Sequence, residues 1–143
     1  MPSIYLSPSL QPYNKYVTTG DEQYWMNVIA DDMVPILEQN GIAVSRNTPG
    51  MTLGQAIRES NAGDYDLHLA LHSNAAPESL SGKRRGPDGY YYPYSTAGKR
   101  AADIIADNLR SIYPDPDLVN TVATTKLAEI TKTNAPAVLV EIA

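Results

Sequence analysis

Residues 66–77 read DLHLALHSNAAP and contain both histidines of the chain, His68 and His72. Leucines alternate with histidine or alanine through this stretch, and a period of two is typical of a β-strand and not of a helix. On a strand, residues four apart share a face but lie about 13 Å from each other, at ~3.3 Å per residue. Two ligands of one zinc ion each lie about 2 Å from the metal. The two histidines therefore cannot bind the same ion.

Strands and helices are predicted to alternate on both sides of this stretch. Further strands are predicted at residues 3–7, 42–46, 90–94, 118–122 and 137–143, and helices at 20–41, 52–63 and from Ser95 to just before Pro114. Pro93 suits only an edge strand or a strand end, and the apolar run AVLV suits a strand covered on both faces. The pattern predicts a single-domain α/β fold, a three-layer sandwich in which a largely parallel twisted sheet has helices on both faces.

The composition limits the possible partners and compartments. The 143 residues fit one domain, over 1–143, and the net charge of −5 argues against nucleic acid as the main partner. There is no cysteine, which excludes disulfides and thiolate metal sites. No apolar run approaches the roughly 20 residues of a membrane span, and MPSIYLSPS lacks the layout of a signal peptide. If the substrate lies outside the cytoplasm, we expect release by cell lysis, through a holin, or from a longer parent protein.

The two histidines have different expected roles. His68 lies in the middle of its strand, and we expect a core histidine that is hydrogen-bonded to a neighbour. His72 lies where the strand ends, and in open α/β sheets ligand sites form outside the carboxyl ends of the strands. Taken alone, His72 is equally well interpreted as a capping or buried polar residue.

Two glutamates are expected at the same rim of the sheet. Glu141 ends the last, otherwise apolar strand, where a carboxylate is costly unless it is paired or useful. Glu22 falls in the first turn of the first long helix, which starts beside the carboxyl end of the first strand. Both also have ordinary interpretations, as a solvent-facing rim residue and as a helix-dipole partner, and Asp21 is expected to fill the latter role. Together with His72 they have the layout of a hydrolytic metal site.

The order of several short motifs resembles one enzyme family over Ile4 to Ala143. The motifs are GDE, SRN, ESNAGDYDL, LHSNAAP, GYYY and APAVLVEI, and in this order the chain resembles the zinc-dependent N-acetylmuramoyl-L-alanine amidases called amidase 3. The resemblance implies a phosphorylase/hydrolase-like fold and an autolysin-type bacterial enzyme acting on peptidoglycan in the cell wall. Its reaction would cut the amide between N-acetylmuramic acid and the L-alanine of the stem peptide.

By position in these motifs, Glu22 and His72 resemble zinc ligands of the family, and Glu141 resembles its general base. The chain departs from the family at Leu10, which stands where the first zinc-binding histidine is expected. The resemblance leaves the third ligand open among Gln11, Asn14, Asp21 and Asn74. A second departure is that the chain ends two residues after Glu141, which predicts a domain truncated at its C-terminus.

Two alternative functions follow from these departures. One is a catalytically impaired, amidase-like module that binds the cell wall, which the missing histidine favours. The other is a domain in which Glu22 and Glu141 are only structural acids and the rim binds another small ligand.

Three residues are predicted to contact substrate. Asn74 would orient His72 or the substrate, or else form the turn that ends the strand. Tyr91 belongs to the tyrosine-rich GYYYPYS, whose rings would stack on a sugar or peptide, or else pack on an edge strand. Arg46 would pair with a site carboxylate, or else form a surface ion pair. The charged run 83–85 is expected to be solvated, with an anionic wall polymer as the alternative partner.

Overall fold

The computed structural model describes residues 1–73 and 86–142, and it contains six strands and four α-helices there. The strands are β1 (Ser3–Pro8), β2 (Ala43–Arg46), β3 (Leu67–His72), β4 (Asp88–Tyr91), β5 (Asn120–Ala123) and β6 (Ala137–Glu141). The helices are α1 (Glu22–Gln39), α2 (Leu53–Ala62), α3 (Thr96–Arg110) and α4 (Ala128–Thr131), and a 3-10 turn covers Pro116–Leu118.

The six strands form one sheet in the order β2-β1-β3-β6-β4-β5. All neighbouring strands are parallel except β4 and β6, which are antiparallel. This confirms the predicted largely parallel α/β sheet. Of the two alternatives for residues 90–94, the structure has the strand end and not the edge strand, because β4 lies between β6 and β5 and ends at Tyr91, before Pro93.

Helices cover both faces of the sheet, as predicted. Helices α1 and α3 pack on one face, where the first apolar cluster contains Leu6, Met26, Ala30, Leu69, Leu71, Ala102, Val138 and Val140. Helices α2 and α4 lie on the other face, where the second apolar cluster contains Ala70, Ile130, Ala137 and Leu139. The strand residues of the two clusters alternate along β3 and β6, because successive side chains of a strand point to opposite faces.

The helix ends follow the side chains that the sequence provides. Asp21, Thr52 and Ser95 each cap a helix by accepting a backbone N–H, and Thr52 forms a full capping box with Gln55. Helix α3 ends at Arg110, so Ile112 is not part of its apolar stripe and is exposed. Among the described residues, no helix combines the length and apolarity that crossing a bilayer requires.

Candidate active site

The site is built around a direct contact between Glu22 and His72. Glu22 is the first residue of α1, and His72 is the last residue of β3. The Oε2 atom of Glu22 lies 2.9 Å from Nδ1 of His72. Only 2% of the Glu22 side chain and 14% of the His72 side chain are exposed. The predicted convergence of these two residues at one rim is therefore present in the structure.

A third side chain, Glu129 of α4, contacts the opposite side of the His72 ring. Its Oε2 atom lies 3.0 Å from Nε2 of His72, and its Oε1 atom lies 3.0 Å from Nε2 of His68. The Ser7 hydroxyl donates to the same Oε1 atom at 2.5 Å. Each oxygen of one buried carboxylate thus accepts from a histidine ring.

The Glu129 carboxylate and the His72 ring shift each other's pKa. Burial alone would raise the pKa of Glu129, but hydrogen bonds from His68 and His72 outweigh it and lower the pKa to about 2. Burial would lower the pKa of His72, but hydrogen bonds to Glu129 and Glu22 outweigh it and raise the pKa to about 9. In the metal-free protein, each ring nitrogen of His72 thus faces a carboxylate oxygen, which favours the protonated ring.

His68 lies deeper in the molecule and is fully buried. Its Nδ1 atom is 2.8 Å from the Ser60 hydroxyl of α2, and its ring stacks on Tyr5 with centroids 5.4 Å apart. Both ring nitrogens thus have hydrogen-bond partners, which is the requirement for a buried polar side chain. The prediction of a hydrogen-bonded core histidine is confirmed.

Glu141 lies beside His72 in the neighbouring strand. The parallel register of β3 and β6 pairs His72 with Glu141, and aligned neighbours in a sheet have their side chains on the same face. The antiparallel register of β6 and β4 pairs Glu141 with Asp88. Tyr90 faces the same side of the sheet, and burial and then the charge of Glu141 raise the pKa of its phenol. His72, Glu141 and Asp88 therefore form a row of polar residues across three strands.

Asp88 was not among the predicted site residues. It begins β4, and because that strand runs antiparallel to β6, its first residue lies at the rim where β6 ends. Burial raises the pKa of the Asp88 carboxyl, and hydrogen bonds from Tyr90 and Asn120 oppose that rise.

Glu22 and His72 have the donor atoms and the spacing of two protein ligands of one metal ion. Two ligands that each lie ~2 Å from a tetrahedral zinc are themselves about 3.3 Å apart, which is close to the 2.9 Å between Glu22 and His72. No three His, Cys, Asp or Glu side chains form a metal-binding group within residues 1–73 and 86–142. Glu129 does not complete one with Glu22, because it contacts the opposite nitrogen of His72.

The residues considered as the third metal ligand have different hydrogen-bond partners. Asp21 accepts from the backbone of Tyr24 and pairs with Lys15, so its carboxylate serves the helix end. The Asn14 amide lies 3.5 Å from Oε1 of Glu22 and 2.6 Å from the Gln11 amide oxygen. Asn74 falls outside the described residues.

A cavity of about 340 Å³ adjoins His72 and Glu129. Its lining is mostly apolar and includes Leu10, Leu53, Leu127 and Leu139. Leu10 therefore borders the same cavity as His72, although it carries no atom that binds metal. Such a lining suits the apolar part of a ligand, with polar groups at one end to orient it.

The remaining predicted substrate residues lie in two other environments. Arg46 donates to Asp31 at 2.7 Å and to Asn27 at 2.8 Å, so of the two alternatives the structure has the ion pair on α1 and not a pair with a site carboxylate. It also lines an open groove of about 600 Å³. Tyr91 packs against the first apolar cluster, on the face opposite Glu141. The charged run 83–85 lies outside the described part of the chain.

The sequence interpretation missed Glu129. Helix α4 has only four residues, and no apolar periodicity can be read over so short a segment. The available signal was an acid placed between Ala128 and Ile130, which are small or apolar. Glu129 is only 4% exposed, and an acid among such neighbours is expected to need a buried partner.

The fold and the rim geometry together define a class of protein. It is a three-layer α/β enzyme domain whose carboxylates and histidine meet at the carboxyl ends of parallel strands, the usual position for sites in such sheets. The family model described as N-acetylmuramoyl-L-alanine amidase, Amidase_3, matches residues 15–143, and the chain belongs to this family. It is a peptidoglycan hydrolase of the amidase type, and its family is generally metal-dependent.

Solved structures of amidases share the fold at low sequence identity. The amidase AmiC2 of Nostoc punctiforme is 18% identical, with a TM-score of 0.78 over 98% of this chain and 78% of that chain. The catalytic domain of the CD27L endolysin, described as targeting Clostridia difficile, is 20% identical, with a TM-score of 0.80 over 99% and 81%. An amidase from Clostridium difficile 630 is 18% identical, with a TM-score of 0.80 over 98% and 78%. No curated protein matches the chain.

Family membership bears on the alternatives left open by the sequence. A cell-wall-binding module without activity is not favoured by a family match that covers residues 15–143. The match includes Glu22, His72 and Glu141 and begins after Leu10.

Proposed function

We propose that the chain hydrolyses the amide between N-acetylmuramic acid and L-alanine in bacterial peptidoglycan, at the rim formed by Glu22, His72 and Glu141. The observation that carries the proposal is the contact of 2.9 Å between Glu22 and His72, with Glu141 next to His72 in the sheet. An enzyme with this activity acts on the cell wall, as an autolysin or as a lytic enzyme.

Glu22 and His72 are the residues that would hold a divalent cation, for which zinc suits the mixed oxygen and nitrogen donors. When bound, such an ion supplies Lewis-acid chemistry: it polarises a carbonyl and makes a water molecule more acidic. The third protein ligand stays open. Asn14 is the described candidate, because its Nδ2 donates to Oε1 of Glu22 at 3.5 Å and a turn of the amide would bring its oxygen to that position.

Glu141 would act as the general base. Its carboxylate accepts a proton from the attacking water and returns one to the departing nitrogen of L-alanine. The products are a carboxylate on the muramic acid and a free amine on the stem peptide. This role requires a carboxylate beside the reacting carbonyl, and the register next to His72 supports that position.

The two concave surfaces near the rim suit different parts of this substrate. The cavity that Leu10 and Leu139 line would take the apolar side chains of the stem peptide. The open groove that Arg46 lines would take an anionic group of the substrate. Asn74 remains a proposed contact. For ring stacking we propose Tyr90 in place of Tyr91, because Tyr90 faces the Glu141 side of the sheet and Tyr91 packs on the opposite face.

Release of stem peptides from purified peptidoglycan tests the proposal. We expect the wild-type protein to release new alanine amines, and Glu141→Gln to lower that rate by about 100-fold or more, the usual contribution of a general base. Glu38→Gln is the matched control, because Glu38 is exposed near the end of α1. A wild-type protein that binds peptidoglycan but releases no amines would support the binding module instead. Unchanged turnover in Glu141→Gln would exclude the proposed base.

A further inference from the structure

We propose that Glu129 is a positioning residue, which holds the His72 ring through Nε2 so that Nδ1 faces Glu22 and a bound cation. This inference rests on the proposed function, in which Glu22 and His72 hold the metal. It concerns α4, an element that carries none of the motif residues.

The hydrogen bonds of Glu129 favour one orientation of the ring. An ionised carboxylate only accepts hydrogen bonds, so the 3.0 Å contact with Nε2 of His72 requires a proton on that nitrogen. In the metal-free ring, Nδ1 carries the second proton and donates it to Glu22 at 2.9 Å. A cation that displaces this proton leaves the Nε2–H donating to Glu129. Histidines that bind metals generally donate their other N–H to a carboxylate or carbonyl, which fixes both tautomer and ring orientation.

Glu129 itself is poorly suited to be the metal ligand. Its Oε1 atom already accepts from His68 and from Ser7, and its Oε2 atom accepts from His72. Glu22 differs, because among residues 1–73 and 86–142 its Oε1 atom has only a contact of 3.5 Å with Asn14. The unused acceptor capacity is thus on the Glu22 side of the ring.

Further hydrogen bonds fix the position of Glu129 on the side away from His72. His68 donates to it while contacting Ser60 of α2 through Nδ1, and Ser7 of β1 accepts from the Asn47 amide. These contacts join α4 to α2, β1 and β3. A buried carboxylate is costly to desolvate. An apolar residue at position 129 would pack α4 on the sheet without that cost, so packing alone does not explain a glutamate there.

Zinc affinity and the NMR signals of the His72 ring test this inference in the full chain. With zinc bound, we expect the wild-type ring to carry its proton on Nε2, and without zinc we expect a slowly exchanging Nε2–H signal. Glu129→Gln is expected to weaken zinc binding by about 10- to 100-fold, the usual cost of removing such a partner. Glu129→Leu is expected to lose the Nε2–H signal as well.

The control is Glu59→Gln on α2, which removes a carboxylate that contacts Tyr5 at 2.8 Å and does not touch His72. This variant should leave the zinc affinity and the Nε2–H signal of His72 unchanged. Wild-type zinc affinity in Glu129→Gln, or a wild-type Nε2–H signal in a folded Glu129→Leu, would overturn the inference. A wild-type protein that shows the Glu129-dependent signal but binds no zinc would count against the proposed function and would support the orientation of the ring by Glu129.

Discussion

The Oε2 atom of Glu22 lies 2.9 Å from Nδ1 of His72, although the two residues belong to different layers of the domain. Glu22 begins a helix that covers one face of the sheet, and His72 ends a strand within it. The contact forms because a helix that follows a parallel strand begins at the rim where such strands end.

Zinc should stabilise the folded protein through this pair. Because an ion that binds only the folded state adds stability by mass action, ~100-fold excess over its dissociation constant adds about 2.7 kcal/mol. We expect the Tm of the wild-type protein to rise with zinc and to fall again with a chelator. His72→Ala and Glu22→Gln should abolish the rise, whereas the exposed Glu38→Gln should retain it. A Tm increase of wild-type size in His72→Ala would show that zinc binds elsewhere.

A histidine at residue 10 should strengthen metal binding. Leu10 lines the same cavity as His72, and by the motif resemblance it stands where the family has a zinc-binding histidine. Because a catalytic zinc usually has three protein ligands, we expect Leu10→His to raise zinc affinity by about tenfold or more, measured by competition with a chromophoric chelator. Leu53→His, at another position of the same cavity, is the control. Equal affinities in Leu10→His and the wild-type protein would place residue 10 out of reach of the ion.

The metal-free protein should be most stable in mildly acidic solution. The pKa of His72 is raised to about 9, so its contribution is complete below its unfolded value near 6.5 and is lost as the pH rises through 9. The pKa of Glu129 is lowered to about 2, so its contribution is complete above 4.5 and is lost as the pH falls towards 2. Chemical denaturation with a chelator present should therefore show a maximum between about pH 4.5 and 6.5.

His72→Gln provides the comparison for the alkaline limb of that profile. The free energy of unfolding of this variant should change little between pH 6.5 and 9, because the titrating ring is gone. A wild-type protein with an equally flat profile over this range would contradict the raised pKa of His72.

Replacement of Arg46 should weaken substrate binding and leave the stability of the fold almost unchanged. The ion pair with Asp31 is exposed on the Asp31 side, where 68% of the side chain is accessible, and such pairs contribute about 1 kcal/mol or less. We expect Arg46→Met to change unfolding free energy by no more than that, and to raise KM for peptidoglycan severalfold with kcat unchanged. Lys99→Met, which breaks an exposed pair with Asp103, should leave KM unchanged. An unchanged KM in Arg46→Met would remove this residue from the substrate path.

Local patterns were sufficient for much of the fold. The alternation of leucine with histidine and alanine predicted β3, and the caps at Thr52 and Ser95 predicted the starts of two helices. The antiparallel direction of β4 was not predicted, because strand direction depends on how the whole chain winds and not on local periodicity. Asp88 was missed for the same reason, since only that direction brings the start of β4 to the rim.

The sequence by itself determined the type of each long element, the separation of His68 from His72, and the motifs that indicate an amidase. These features depend on periodicity and spacing, which act over a few residues. The order of strands and helices also predicted that Glu22, His72 and Glu141 meet at one rim. Only the tertiary structure decided that Glu129 of a one-turn helix reaches both histidines, and that Asp88 joins the same rim. Contacts between distant segments follow from how the layers pack, and no local pattern carries that information.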